Sequence, residues 1–239
     1  MTGIFYGVGV GPGDPELMTL KARRVLNQAA VVVAPESAPG RGSLAADIAR
    51  VHLDDPGKIA PLTFPMTYDR DALDAAWQAN LDAVLTHLES GDVAFVTLGD
   101  PMLYSTCVHL MRHLRSRDVR IETVPGVPAF CAAAARLNRA VAGENETVAI
   151  IPAAYRQPRL AALLAAVDNV VVMKPSRGYA ALAGALGEHG FLENAVMVSN
   201  CGHATERIHG DLRAVDPGAV EYLSIILASK VLASKGRAA

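Results

Sequence analysis

The stretch whose reading decides the fold is 7-GVGVGPGDPE-16, set directly behind the short apolar run 4-IFY-6. A second string of the same kind, 96-VTLGDPMLYST-106, closes another apolar run. In an open α/β sheet, loops at the carboxyl ends of the strands are where ligands bind. Outward from these two loops, the runs 4–10, 30–35, 93–98 and 120–124 are short, apolar and bounded by turn residues, as strands covered on both faces are. Helices are expected over 15–29, 69–90 and 103–117. Asp14 is placed to cap the first of them, with Pro15 at its first position. Leu73, Trp77, Leu81, Leu85 and Leu88 recur near helical spacing in the second. This alternation predicts an α/β domain with a largely parallel sheet over 1–118. Around 124-VPGVP-128 the chain reads as a linker, and the texture then resumes. A helix over 129–140 and strands over 147–152, 169–174, 194–200 and 221–229 predict a second α/β domain, 119–239.

The 239 residues are 51% hydrophobic and 19% charged, a globular composition, and the 5% aromatic share leaves the core to Ala, Val and Leu. A net charge of −2 provides no whole-molecule field for nucleic acid. No apolar run is long enough to span a bilayer, and the start lacks the pattern of a secretory signal. Cys107, Cys131 and Cys201 are odd in number, far apart and without CxxC spacing, so neither a disulfide framework nor a zinc site is expected. A soluble, reduced, cytoplasmic protein is the expectation. His109 and His113 share a helix face at metal-binding spacing, but no third ligand is evident and Cys107 falls on another face, so no metal is expected. Cys131 reads as a small core residue, and Trp77 as a core anchor of its helix.

Glycines behind a first strand let a backbone approach a ligand. The dinucleotide fingerprint GxGxxG puts its third glycine elsewhere than Gly7, Gly9 and Gly11 do, although Glu36 could still grip a ribose. The GxGxG loop of Rossmann-type methyltransferases is present, but the acidic residue expected before it falls on Phe5. Nothing matches a P-loop. Pro12 and Pro15 remove amide donors, which suits a shaped loop better than a phosphate cradle.

The core string GVGPGDPELMTLKA, together with TLGDP and ETVPGVPAFCAAAARL, resembles the three motifs of the tetrapyrrole methylases, and the resemblance runs along nearly the whole chain. It implies two α/β domains with a ligand cleft between them, a homodimer, and S-adenosyl-L-methionine as the cofactor, held folded. Within the family, 64-FPMTYDRDALDAAW-77, 97-TLGDPMLYST-106 and 143-GENETVAIIPA-153 are similar to the members that methylate C20 of precorrin-2 or of cobalt-factor II in cobalamin biosynthesis. Methylation of another ring position by the same fold, a Rossmann-type cofactor-binding protein, or a cofactor-binding protein without turnover are the alternatives.

Carried over motif by motif, the resemblance implies cofactor contacts from Pro12, Leu98, Gly99, Asp100, Leu103, Ser105, Thr106, Pro128, Ala129, Met173, Asn200 and Cys201. Gly11, Gly13, Asp14 and Arg41 would face the substrate. A sulfonium methyl needs no covalent catalysis, so the lack of a nucleophile–base constellation is no objection. Asp14, Asp100, Tyr104 and His203 are the candidates for moving a proton. A polycarboxylate substrate calls for arginine, and Arg41, Arg70, Arg136, Arg139 and Arg177 are the candidates.

Overall fold

The computed structural model describes residues 3–65, 67, 69–152, 154 and 157–230. The chain divides into two units, Met1–Pro128 and Ala129–Ala239. In the first, β1 (Phe5–Gly9), β2 (Val31–Glu36), β3 (Ile59–Thr63), β4 (Val93–Thr97) and β5 (Ile121–Val124) form a five-stranded sheet in the order β3-β2-β4-β1-β5. All its pairings are parallel. Helices α1 (Leu20–Gln28) and α2 (Leu44–Arg50) cover one face. Helices α3 (Arg70–Ser90) and α4 (Thr106–Arg115) cover the other.

The pleat explains why both faces are apolar. In β4, Ala94 and Val96 join Val8, Val32, Leu26 and Ile48 in the core under α1 and α2. Val93 and Phe95 join Phe5, Leu88 and Leu110 in the core under α3 and α4. Each large side chain buried in this way is worth about 1.5–3 kcal/mol relative to exposure. The chain runs outward from β1 to β2 and β3, returns to place β4 beside β1, then adds β5 on β1's other edge. The loops that follow β4, β1 and β5 therefore lie side by side at one edge of the sheet.

The second unit holds α5 (Ala129–Arg136), β6 (Val148–Pro152), α6 (Leu160–Ala166), β7 (Asn169–Met173), α7 (Tyr179–Glu188), β8 (Ala195–Ser199), β9 (Arg207–His209) and β10 (Ser224–Ser229). Its sheet is mixed, in the order β6-β7-β10-β8-β9. β10 runs antiparallel to both β7 and β8. Val170, Val172, Met197 and Ile226 pack with Leu164, Leu182 and Leu186 of α6 and α7. α5 lies against β10.

Several sequence expectations change in detail. β5 pairs with β1, so residues 119–128 belong with the first unit and not with the second. The helix expected over 15–29 is broken: Asp14 caps a 3-10 turn, Pro15–Leu17, Met18 is extended, and Thr19 then caps α1. The helix expected from 103 starts at Thr106, because Tyr104 has a left-handed backbone and Ser105 is the cap. The helix expected to 140 stops at Arg136, with Asn138 left-handed. β3 escapes sequence reading because Pro61 interrupts it, which only an edge strand tolerates.

Candidate functional site

At the carboxyl edge of the first sheet, the loops behind β1 and β4 are fastened backbone to backbone, and the loop behind β5 packs against them. The Gly99 N–H donates to the Gly11 carbonyl at 2.7 Å, and the Val10 N–H donates to Thr97 at 3.0 Å. Gly11 and Gly99 are left-handed, at φ +82° and +66°. A Cβ on Gly9 would stand 2.5 Å from the Gly99 carbonyl oxygen, and one on Gly126 only 2.1 Å from it. Side chains are thus excluded where the loops behind β1, β4 and β5 meet. Gly7 serves helix packing instead, since a Cβ there would strike Met111 and Cys107 and keep α4 off β1.

Asp100 completes the fastening. Its Oδ1 accepts the Met102 N–H at 2.8 Å and its Oδ2 accepts the Gly126 N–H at 3.0 Å. With both carboxylate oxygens accepting backbone N–H groups, Asp100 shapes the loops. Gly11, Pro12 and Gly13 are buried, and Asp14 Oδ1 accepts the Glu16 N–H at 2.9 Å. Leu98 and Leu103 are half-buried, while Tyr104 is exposed at φ +50°. A non-glycine residue held there costs about 1–3 kcal/mol, and such residues cluster at functional sites. Ser105 Oγ accepts the Cys107 N–H at 3.1 Å and lies 3.0 Å from Thr97 Oγ1, so it caps α4, whose first residue is Thr106. Pro128 and Ala129 are half-buried, and Ala129 opens α5.

In the second unit, the ends of β7 and β8 flank the start of β10, with Met173 opposite Ile225 and Ser199 opposite Ser224. The residues that follow the two strands, Lys174 and Asn200, are both left-handed, at φ +56° and +51°. Their N–H groups donate to Ser224 (3.1 Å) and Leu223 (2.9 Å). The Asn200 side chain donates to Thr205 Oγ1 at 3.0 Å and to the Glu221 carboxylate. His203 is half-buried in the same turn, and its N–H donates to the Asn200 carbonyl at 2.9 Å. Cys201 is buried, and burial, then the neighbouring Glu206 charge, pushes its thiol up to about 11. It is protonated at neutral pH and is not a nucleophile. Burial alone takes the Cys107 thiol to about 12.

Sequence and structure part over several side chains. Arg136 Nε donates to Glu206 at 2.8 Å, and Glu206 also accepts the Gly202 N–H at 2.8 Å. Arg139 donates to the Asn194 carbonyl at 2.6 Å and to Ser229 Oγ at 3.0 Å. Both arginines thus make contacts within the second unit. Arg41, Arg70 and Arg177 are exposed. Glu36 accepts from Thr63 Oγ1 at 3.0 Å and from the Gly40 N–H at 3.2 Å, holding its own loop instead of gripping a ribose. Cys131 is exposed on α5, whose buried face is Ala132 to Ala134. Trp77 packs edge-on against Phe64 at 4.9 Å, with the His109 ring 5.7 Å away. Among the described residues, no group of three His, Cys, Asp or Glu side chains is placed to hold a metal, and no helix is long and apolar enough to cross a membrane. Gly126 and Glu221 were not singled out in the sequence, since both owe their places to partners distant along the chain.

Two glycine-stitched loops ending the parallel strands of one unit, and a mixed sheet in the other, define an α/β protein of two units. The profile of the tetrapyrrole (corrin/porphyrin) methylases matches residues 5–216, and the chain belongs to that family. It is 34% identical to the cobalt-precorrin-2 C(20)-methyltransferase of Salmonella typhimurium, over 96% of this chain and 98% of that protein. It is 38% identical to a probable cobalt-precorrin-2 C(20)-methyltransferase of Methanocaldococcus jannaschii, over 71% of each. Among solved structures it resembles a cobalt precorrin-4 methyltransferase, with a TM-score of 0.73 and 22% identity over 94% of both chains. It also resembles a uroporphyrin-III C-methyltransferase of Thermus thermophilus complexed with S-adenosylhomocysteine, with a TM-score of 0.71 and 24% identity over 95% of this chain and 92% of that one.

Proposed function

We propose that the protein transfers a methyl group from S-adenosyl-L-methionine to C20 of precorrin-2 or its cobalt complex, a step of cobalamin biosynthesis. The observation that carries this is identity along almost the whole chain to a methyltransferase named for that carbon. The fold's fit to the cofactor rests on chemistry. The edge of the first sheet offers Pro12, Leu98, Leu103 and backbone from Gly99. Pro12, Leu98, Gly99, Asp100, Leu103, Ser105, Thr106, Pro128 and Ala129 are assigned to the methionine portion, Asp100 and Ser105 by holding backbone. Met173, Asn200 and Cys201 are assigned to the adenine portion. Gly11, Gly13, Asp14 and Arg41 are assigned to the tetrapyrrole.

The sulfonium supplies a methyl already electrophilic, so that the S–CH3 bond breaks to a neutral thioether as the new C–CH3 bond forms. The chain's work is to hold the acceptor carbon in line and to exclude water, which can supply up to roughly 7–11 kcal/mol of the barrier. Asp14, Asp100, Tyr104 and His203 are the groups proposed to take up a ring proton. A homodimer in the cytoplasm belongs to the same proposal, and light scattering in solution tests the dimer. The direct test is incubation of the purified protein with S-adenosyl-L-methionine and either precorrin-2 or its cobalt complex, read by product mass. One added methyl supports the proposal and the preferred acceptor fixes the substrate. Cofactor binding with no transfer to either acceptor overturns it.

A further inference from the structure

The turn behind β8 carries an amide whose orientation is set by chemistry. The two ends of an asparagine side chain are nearly alike in size, and packing alone seldom decides which faces where. Here the choice is forced. The Asn200 side chain faces the Glu221 carboxylate, and an ionised carboxylate only accepts hydrogen bonds, so the NH2 end must lie toward it. The second amide proton goes to Thr205 Oγ1 at 3.0 Å. Arg207 Nη1 lies 4.0 Å from the other Glu221 oxygen, a long, solvent-exposed ion pair. The backbone is fixed as well: the Asn200 N–H is on the Leu223 carbonyl, and its own carbonyl accepts from His203. Both amide protons are therefore engaged. Among the described residues, no donor reaches Oδ1.

We propose that Glu221 is a positioning residue which locks the Asn200 amide with its oxygen outward, and that this oxygen reads the exocyclic amine of adenine. The inference rests on the proposal that this edge receives the adenosyl portion of the cofactor. A fixed acceptor selects an obligate donor. The 6-amino group of adenine is one; hypoxanthine carries a carbonyl oxygen in the same place. Ribose hydroxyls donate and accept, so they would not exploit a locked amide.

The test compares binding of S-adenosylhomocysteine with that of S-inosylhomocysteine by calorimetry, on the full-length protein and two variants. The wild type is expected to favour the adenine form by about tenfold or more, because a site built around a donor rejects a ligand that lacks it. In Glu221→Gln the neighbouring amide can present oxygen or nitrogen, so Asn200 can turn over and the preference is expected to collapse toward unity. In Asn200→Gly the left-handed backbone is retained without strain and the reading oxygen is gone, so the preference is again expected to collapse. Equal weakening of both ligands in Glu221→Gln, with the preference intact, would show a merely structural role and overturn the inference. A preference surviving Asn200→Gly would overturn it too. Tight wild-type binding without base preference refutes this inference alone. Failure of the wild type to bind either ligand refutes the cofactor assignment and takes the inference with it.

Discussion

Replacing Gly126 by alanine adds one carbon where three loops touch. That carbon would stand 2.1 Å from the Gly99 carbonyl oxygen and 2.8 Å from Gly9 Cα. Ordinary contact begins near 3.4 Å, so the loops must part by about 1.3 Å (3.4 − 2.1). The obstructing atoms are backbone, and no rotamer can relieve the clash. Overpacking of this kind costs typically about 1–3 kcal/mol, and Gly126→Ala is expected at the upper end. With a urea m-value of about 2–3 kcal/mol/M, the midpoint falls by about 1 M. Parting the loops also draws the Gly126 N–H away from Asp100 Oδ2, now 3.0 Å from it. Binding of S-adenosylhomocysteine is therefore expected to weaken by at least about tenfold, or 1.4 kcal/mol. Urea unfolding followed by circular dichroism and calorimetric titration read the two quantities. A Gly126→Ala protein within about 0.5 kcal/mol of wild type, the ordinary range of inconsequential surface substitutions, with unchanged affinity, would refute the claim that these loops form one fastened surface.

Asp100→Asn retains one acceptor but turns an NH2 toward either the Met102 or the Gly126 N–H; stability should fall by about 1–3 kcal/mol and cofactor affinity with it, as measured by urea unfolding and titration. Gly184 lies within α7 with nothing within 4 Å of an added Cβ, so Gly184→Ala is expected to stabilise by about 0.5–1 kcal/mol, seen as a raised urea midpoint with unchanged cofactor affinity. Glu206 is held below its ordinary carboxylate range, first by the Gly202 N–H and then by Arg136, against the opposing effect of burial. A depressed carboxylate contributes stability above its unfolded pKa of about 4.3 and loses it as pH falls through the lower folded value. The stability gap between wild type and Glu206→Gln should thus be constant above about pH 5 and shrink below about pH 4, measured as urea midpoints across that range.

The parts of the fold that the sequence reveals are those in which local pattern and tertiary burial agree. β4 is buried at every position and reads as an apolar run up to Thr97. α3 starts at the Asp69 cap and stops at Gly91. β3 is hidden because Pro61 makes its sequence look like a loop, and only its place at the sheet edge permits it. The break at Met18 is equally hidden: Asp14 reads as the cap of one continuous helix, whereas in the structure it caps only a 3-10 turn and Thr19 caps α1. At the candidate site, the loops announce themselves through glycine and proline, but their partners do not. The bond from Gly126 to Asp100 joins the loops behind β4 and β5, two strands distant along the chain that the topology sets on either side of β1. The left-handed backbones of Tyr104, Lys174 and Asn200 are set by the turns they occupy, since nothing in a tyrosine or a lysine favours that conformation. The contacts of Arg136 with Glu206 and of Arg139 with Ser229 are likewise invisible in the sequence, because their partners lie 70 and 90 residues away along the chain.

The measurement that bears most directly on the proposed reaction is the position of the transferred methyl. Precorrin-2 and its cobalt complex, each incubated with S-adenosyl-L-methionine carrying a 13C-labelled methyl, give products whose labelled carbon can be placed by NMR. A single labelled methyl at C20 is the predicted result. A label on another ring carbon would contradict the assigned specificity, and an unlabelled tetrapyrrole recovered from a protein that binds the cofactor would contradict the assigned reaction.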